Sequence, residues 1–274
     1  MSNKLTEFFY KKTIFSREEI FDAIPEYKSK KQSLSTLLSY HVKKGNLISI
    51  KQNLYGVVPR GYQPEEAVSG LDPFLLASKL TDDAVIGYHS ALDFYGWLHS
   101  ARFEIVYLTQ KNLAKTRIDF GGNTYRSTKV PEVLCRKNLV NTEVRKEWSL
   151  GEEIKITSPE RTFVDVLSRP ALLGHDWEEI SRSLEKVHIA RPSAIIAYLK
   201  CLGSPSIAAR VGYFLDRVEN KNEGLVAAIG EVKKLASHST VNLDTYYRSG
   251  NILVKKWNLL VPKNVYNSSW EEIH

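Results

Sequence analysis

The chain has 274 residues, with 38 Lys and Arg against 31 Asp and Glu, a net charge of +7, and 43% hydrophobic residues. That length suits a two-domain chain, and the apolar and charged fractions are those of a globular protein. Ten prolines and fifteen glycines exclude a largely disordered chain. No apolar run approaches the roughly 20 residues that span a bilayer, and the opening MSNKLTEFFYKKT lacks the apolar centre of a secretory signal. Cys135 and Cys201 are the only cysteines, and no C-x-x-C or H-x-x-x-H spacing exists, so a reduced, cytoplasmic setting is expected and a zinc cluster is not.

The charge is unevenly distributed. Residues 1–60 hold eleven basic and five acidic side chains, an excess of six, which leaves +1 for the other 214 residues. A concentrated basic segment suits an anionic partner, or simply a solvated face. Within it, Leu5, Phe8 and Phe9 have helical spacing. Ser16 and Glu19 form a capping box, with Phe15 and Ile20 as a hydrophobic staple, and Pro25 closes the second helix. A third helix is predicted over about 30–44, ending at Gly45, with Leu34, Leu37, Leu38 and Val42 as its buried stripe. Its other face carries Lys31, Gln32, Ser33, Ser35, Thr36, Ser39, Tyr40 and Lys43, with Lys30 and Lys44 at the ends. Short hydroxyl and amide side chains allow close approach to base edges, while lysines hold phosphates. Period-two segments at 47–50 and 54–58 flank Lys51-Gln52-Asn53 and predict a hairpin with a basic tip. Three helices followed by a hairpin predict a winged helix-turn-helix domain over 1–60 that binds double-stranded DNA through the third helix. A membrane-surface role is not expected, because the apolar faces are needed for a core.

Residues 61–70 are polar and predict a linker to a larger domain over 71–274. Asp72-Pro73 starts a helix, and another is expected at 89–96. Strands are expected at 103–109, 117–120, 124–127, 143–148 and 153–157, with Gly121-Gly122-Asn123 as a hairpin turn. Ser158-Pro159 caps a helix through 168. Helices fill 176–236, starting at Asp176, Pro192, Ser204-Pro205 and near Asn222, and a strand pair closes at 252–256 and 259–261. The mixed order, without a βαβ repeat, predicts the α+β class.

Several segments together carry a resemblance. KKGNLISIKQNLYGVVP resembles the K-x-G-x-L…G-x-Y element of AbiE-type antitoxins, the AbiEi family of type IV toxin–antitoxin systems, with Asn53-Leu54 in place of the glycine before the wing tyrosine. DPFLLASKLTDDAVIGYHSALDFYGW, ITSPERTFVDVLSRP, ARVGYFLDRV and NILVKKWNLLVPKN resemble further blocks of that family in the same order. The resemblance implies a DNA-binding autorepressor acting at inverted repeats, as a dimer or as cooperating monomers. Its C-terminal domain would counter, directly or indirectly, a toxin of the nucleotidyltransferase class. It places DNA contacts on Lys31, Gln32, Ser33, Ser35, Thr36 and Lys43, with Lys51, Gln52 and Tyr55 in the wing.

Glu153 and Lys155 form an E-x-K pair on one face of a strand, and Asp119 offers a second carboxylate for a divalent-metal nuclease; Glu231-Val232-Lys233 repeats the short pattern on a helix. A winged helix that binds protein is a third reading. His89 and Ser90 are adjacent on a helix and point about 100° apart, which does not make a base–nucleophile pair. Glu160 suits a helix start, Arg161 and Asp165 pair at i,i+4, and Arg210 with Gly212 marks a close helix contact. No D-x-D follows Gly203-Ser204 and no phosphate-binding glycine loop exists, so nucleotidyl transfer and cofactor binding are not expected.

Overall fold

The computed structural model describes residues 2–218, 221–246 and 250–268. The chain begins with α1 (Ser2–Tyr10), β1 (Ile14–Ser16), α2 (Arg17–Ala23), a 3-10 turn at Pro25–Tyr27, α3 (Lys31–Lys43) and the strands β2 (Leu47–Lys51) and β3 (Leu54–Val57). The capping box is present: Ser16 Oγ accepts from the Glu19 N–H at 3.2 Å, and the Glu19 carboxylate accepts from the Ser16 N–H at 2.7 Å. Asn53 turns the hairpin with φ 63°. Strand β1 is an addition to the sequence reading. It pairs antiparallel with β3, so the hairpin becomes a sheet of order β1-β3-β2. Leu5, Phe8, Phe15, Ile20, Leu34, Leu38 and Leu47 pack as one cluster under these helices.

The expected linker at 61–70 is not a tether. Residues Pro64–Ser69 form helix α4, with Gln63 and Glu66 as a reciprocal cap and Ala67 buried. The expected boundary at 60 is also crossed by core: Ile14, Ile50 and Leu54 pack with Leu71, Leu75, Leu76 and Ala77. Apolar side chains that a free sixty-residue unit would expose are thereby removed from water.

Next come α5 (Pro73–Ser78), β4 (Val85–Ile86), α6 (His89–Phe94), β5 (Glu104–Thr109), β6 (Arg117–Phe120), β7 (Asn123–Lys129), α7 (Glu132–Arg136), β8 (Val144–Ser149) and β9 (Glu152–Thr157). They build a mixed six-stranded sheet of order β6-β7-β5-β4-β9-β8. Strand β5 is covered on both faces. Ile105 and Tyr107 join the cluster with the hairpin and α5, while Val106 and Leu108 join the cluster beneath α8 (Pro159–Ser168). The two-residue β4 and the short α4 and α7 lie outside the sequence expectations.

Helices α9 (Trp177–Glu185), α10 (Pro192–Leu202), α11 (Pro205–Arg217) and α12 (Glu223–Leu235) follow α8 and share its core. The chain closes with β10 (Val241–Asn242), β11 (Asn251–Val254), β12 (Leu259–Pro262) and α13 (Lys263–Tyr266), the strands forming a small sheet of order β10-β12-β11. The protein is thus a mixed α/β molecule with three sheets among the described residues, which agrees with the α+β class. Among those residues no helix is long and apolar enough to cross a membrane.

Candidate nucleic-acid interface

Helix α3 turns Leu34 and Leu38 inward and leaves Lys31, Gln32, Ser33, Thr36, Ser39, Tyr40 and Lys43 exposed, with Lys30 and Lys44 exposed at its ends. Ser35 is half-buried. Among the described residues Lys31 and Lys43 form no ion pair. Lys44 lies 5.9 Å from the ring of exposed Tyr40. The first turn of α3 carries no acid, and the side chain of Lys30 at its start does not cap it. Uncapped N–H groups and lysines at that end of the helix favour an anion. Two expected donors are occupied. Ser35 Oγ donates to the Lys31 carbonyl at 3.0 Å, and Thr36 Oγ1 donates to the Gln32 carbonyl at 3.1 Å. Each hydroxyl therefore keeps only its lone pairs, and Thr36 its methyl, for a partner.

The hairpin departs further from expectation. Lys51 does not reach outward from the tip: its Nζ donates to the Leu80 carbonyl, and burial together with the nearby charge of Lys111 holds its pKa below the usual lysine range. Tyr55 is half-buried and stacks on Phe15, centroids 5.7 Å apart, so its ring serves packing. Of the three expected wing contacts, only Gln52 is exposed. The physical reason is the docking of the hairpin against α5 and the turn that follows it, where Leu80 supplies Lys51 with an acceptor.

Charges brace this docking. Lys79 bridges Glu19 at 2.7 Å and Glu152 at 2.9 Å, and Lys12 reaches Glu152 at 2.6 Å and Glu19 at 3.3 Å. Burial alone would raise the Glu19 pKa. The hydrogen bond from Lys79, the Ser16 N–H and the charges of Lys79 and Lys12 outweigh it, so the carboxyl is held below its usual range. Stability from a lowered carboxyl pKa is complete above the ordinary value near 4.5 and fades as pH falls through the lowered one. We expect Glu19→Gln to weaken the native state by about 1 kcal/mol at pH 7. The difference should vanish in acid. Thermal melts of both proteins from pH 7 downward check this, and a gap that does not narrow as the pH falls contradicts it.

The body does not assemble the nuclease set. Glu153 and Lys155 lie on β9 and Asp119 on β6, with β7, β5 and β4 between. Four strand spacings separate them by about 19 Å. Asp119 accepts from Thr124 Oγ1 at 2.6 Å, and Glu153 pairs with Lys146 at 2.8 Å. His89 and Ser90 act structurally. His89 Nε2 lies 3.1 Å from the Glu104 carbonyl, Ser90 Oγ accepts from the Val106 N–H at 2.7 Å, and both tie α6 to β5. Burial pushes the His89 pKa down to about 4, so the ring is neutral.

Helix α8 is buried along its whole length from Pro159 to Leu167. Glu160 meets Arg145 and Arg191 at 3.4 and 3.3 Å. Arg161 pairs with Asp165 at 3.1 Å and donates to the Val140 and Thr142 carbonyls. Arg210 donates to the carbonyls of Asn242 and Leu167. A further polar group has no signature in the sequence. Asp244 Oδ2 accepts from Trp177 Nε1 at 2.8 Å and lies 2.7 Å from His175 Nδ1, whose ring stacks on Tyr246. No short-range spacing signals it, since 67 and 69 residues separate Asp244 from these partners.

No family model matches the chain, and no curated protein matches it. Among solved structures it is similar to the crystal structure of the RV2827C protein from Mycobacterium tuberculosis. The TM-score is 0.61 at 14% sequence identity, covering 99% of this chain and 94% of that one. At this identity the likeness is one of fold.

Proposed function

We propose that the protein is a DNA-binding transcriptional autorepressor and the antitoxin of an AbiE-type toxin–antitoxin system. Residues 1–60 would be its winged helix and α3 its recognition helix. The observation that carries the reading is the outward face of α3, where Lys31 and Lys43, without carboxylate partners, flank short polar side chains on a helix whose opposite face is packed. The order helix, strand, two helices and hairpin supports it, as do the net charge of this segment and the resemblance of five sequence blocks to the AbiEi family. DNA contacts are assigned to Lys30, Lys31, Gln32, Ser33, Ser39, Tyr40, Lys43 and Lys44, with Gln52 from the hairpin and with Ser35 and Thr36 as acceptors or apolar contacts. Lys51 and Tyr55 are assigned to packing. Paired half-sites would be occupied by two copies, and repression would follow from covering the promoter. The body is assigned to antagonism of a nucleotidyltransferase-class toxin.

Fluorescence anisotropy against the DNA upstream of its own gene and a scrambled duplex, over a range of salt, tests the reading. A preference for the upstream duplex with a steep salt dependence is expected. Lys31→Ala with Lys43→Ala should flatten the slope of log affinity against log salt by about two units, because each lysine neutralises one phosphate and releases its counterion. Equal, weak binding to both duplexes would instead favour a winged helix that binds protein.

A further inference from the structure

The exposed face of α3 is chemically uneven. At 100° per residue, Thr36 lies about 200° around the helix from buried Leu34, at the centre of the solvent face. Gln32 is one turn before it and Tyr40 one turn after, and Gln32, Ser33, Thr36 and Tyr40 line one shallow groove with Tyr27 and Lys30. No arginine occurs in α3 itself, and Arg17 beside its first turn donates to the Lys31 carbonyl at 3.4 Å, so the forked donor, one of the two side-chain types that most often read guanine, does not project from this helix. Among the described residues the Gln32 carboxamide is free of hydrogen bonds, with both its donor and its acceptor available. The Thr36 hydroxyl proton is committed to the Gln32 carbonyl at 3.1 Å. That bond turns the hydroxyl back along the helix and leaves the γ-methyl as the apolar contact at the centre of the face.

We infer that α3 reads A·T pairs in the major groove: the Gln32 carboxamide pairs with adenine N6 and N7, and the Thr36 methyl packs on the thymine methyl of an adjacent pair. This rests on the DNA-binding reading above. A free carboxamide matches the donor and acceptor edge of adenine, and an apolar methyl matches the C5 methyl that thymine alone presents. Lys31 and Lys43, at the flank and the far end, hold phosphates.

Enrichment of duplexes from a random pool by the full chain, and by its variants, tests the assignment. The wild-type motif should contain adjacent A·T pairs, one of which becomes degenerate in Gln32→Ala. Exchanging that pair for G·C should weaken wild-type binding about 5- to 150-fold and leave Gln32→Ala nearly unaffected. Replacing the neighbouring thymine by deoxyuridine removes only its methyl. It should cost the wild type about fourfold, cost Thr36→Val the same, and cost Thr36→Ser nothing. All three substitutions are at exposed positions, and unchanged thermal melts confirm folding. A G·C pair at the position relaxed by Gln32→Ala, or an equal loss on every duplex, overturns this inference while leaving DNA binding intact. An unenriched pool overturns the DNA-binding reading itself, and this inference with it.

Discussion

Asp165→Ala is expected to lower stability by about 3–5 kcal/mol, because it strips the counter-charge from a guanidinium buried in α8. Arg161 and Asp165 side chains are each only 1% exposed and lie 3.1 Å apart. Burial by itself would depress the Arg161 pKa, but the charge and hydrogen bond of Asp165, together with Tyr198 and Tyr88, outweigh burial and raise it. Removing the carboxylate leaves the cation held by the Val140 and Thr142 carbonyls and the face of the Tyr198 ring. In a chain of this size each kcal/mol moves the melting temperature by about 2–4 °C, so a fall on the order of 10 °C is anticipated. Tyr198→Phe provides the comparison. It deletes only the 2.7 Å hydrogen bond from the tyrosine hydroxyl to Asp165 Oδ1, at a cost of about 1.5 kcal/mol. Thermal and urea unfolding of the two variants should rank them in that order. Equal losses would mean that the unpaired charge is not what makes Asp165 necessary.

Gly212→Ala is the second large effect. Gly212 faces the fully buried Trp257, and a Cβ built on it would stand 2.1 Å from ring carbon Cζ3. The ring has no room to retreat. Its Nε1 donates to Asp216 Oδ2 at 2.6 Å, and Lys233 and Lys256 lie 5.6 and 5.4 Å from its centre. The added methyl must therefore displace the indole, and a loss of about 3 kcal/mol is expected. A helix interior normally favours alanine over glycine by about 1 kcal/mol, so the sign of the change reports the clash. In a Trp257→Leu background the smaller side chain frees the space, and Gly212→Ala should become neutral or stabilising. A denaturant double-mutant cycle measures this coupling. Additive losses would show that the glycine is needed for a reason other than the indole.

These two sites differ in how far the chain alone reveals them. The close contact at Gly212 is legible as a small residue between the apolar Val211 and Tyr213 of a helix, but its partner, 45 positions later, is not. The pairing of Arg161 with Asp165 follows from i,i+4 spacing. Its burial does not, because PERTFVDVLS alternates polar and apolar residues as a surface helix does. The polar side is covered because α10 brings Tyr198 and the segment before β8 brings two carbonyls, so each buried charge finds a partner.

The candidate interface divides in the same way. The start of α2, the extent of α3 and its two faces are local properties. Ser16 and Glu19 need only a three-residue spacing, and Leu34 and Leu38 need only the helical period. The tip of the hairpin is not legible, because the direction of Lys51 depends on a carbonyl 29 residues further on. The polar residues of 61–70 read as solvated chain, whereas Gln63 and Glu66 cap a short helix whose buried Ala67 depends on what it packs against.

By itself the sequence determined the elements whose stabilising contacts lie within about one helical turn: caps, amphipathic stripes, hairpin turns and the concentration of positive charge in the first sixty residues. Tertiary structure alone decided that these residues share a core with the six-stranded sheet, that Lys51 turns inward, that α8 is buried on all sides and that Asp119 stands far from Glu153. The reason is that burial and ion pairing depend on which distant segments arrive at a surface. Local spacing carries the geometry of one element, and no record of what is packed against it.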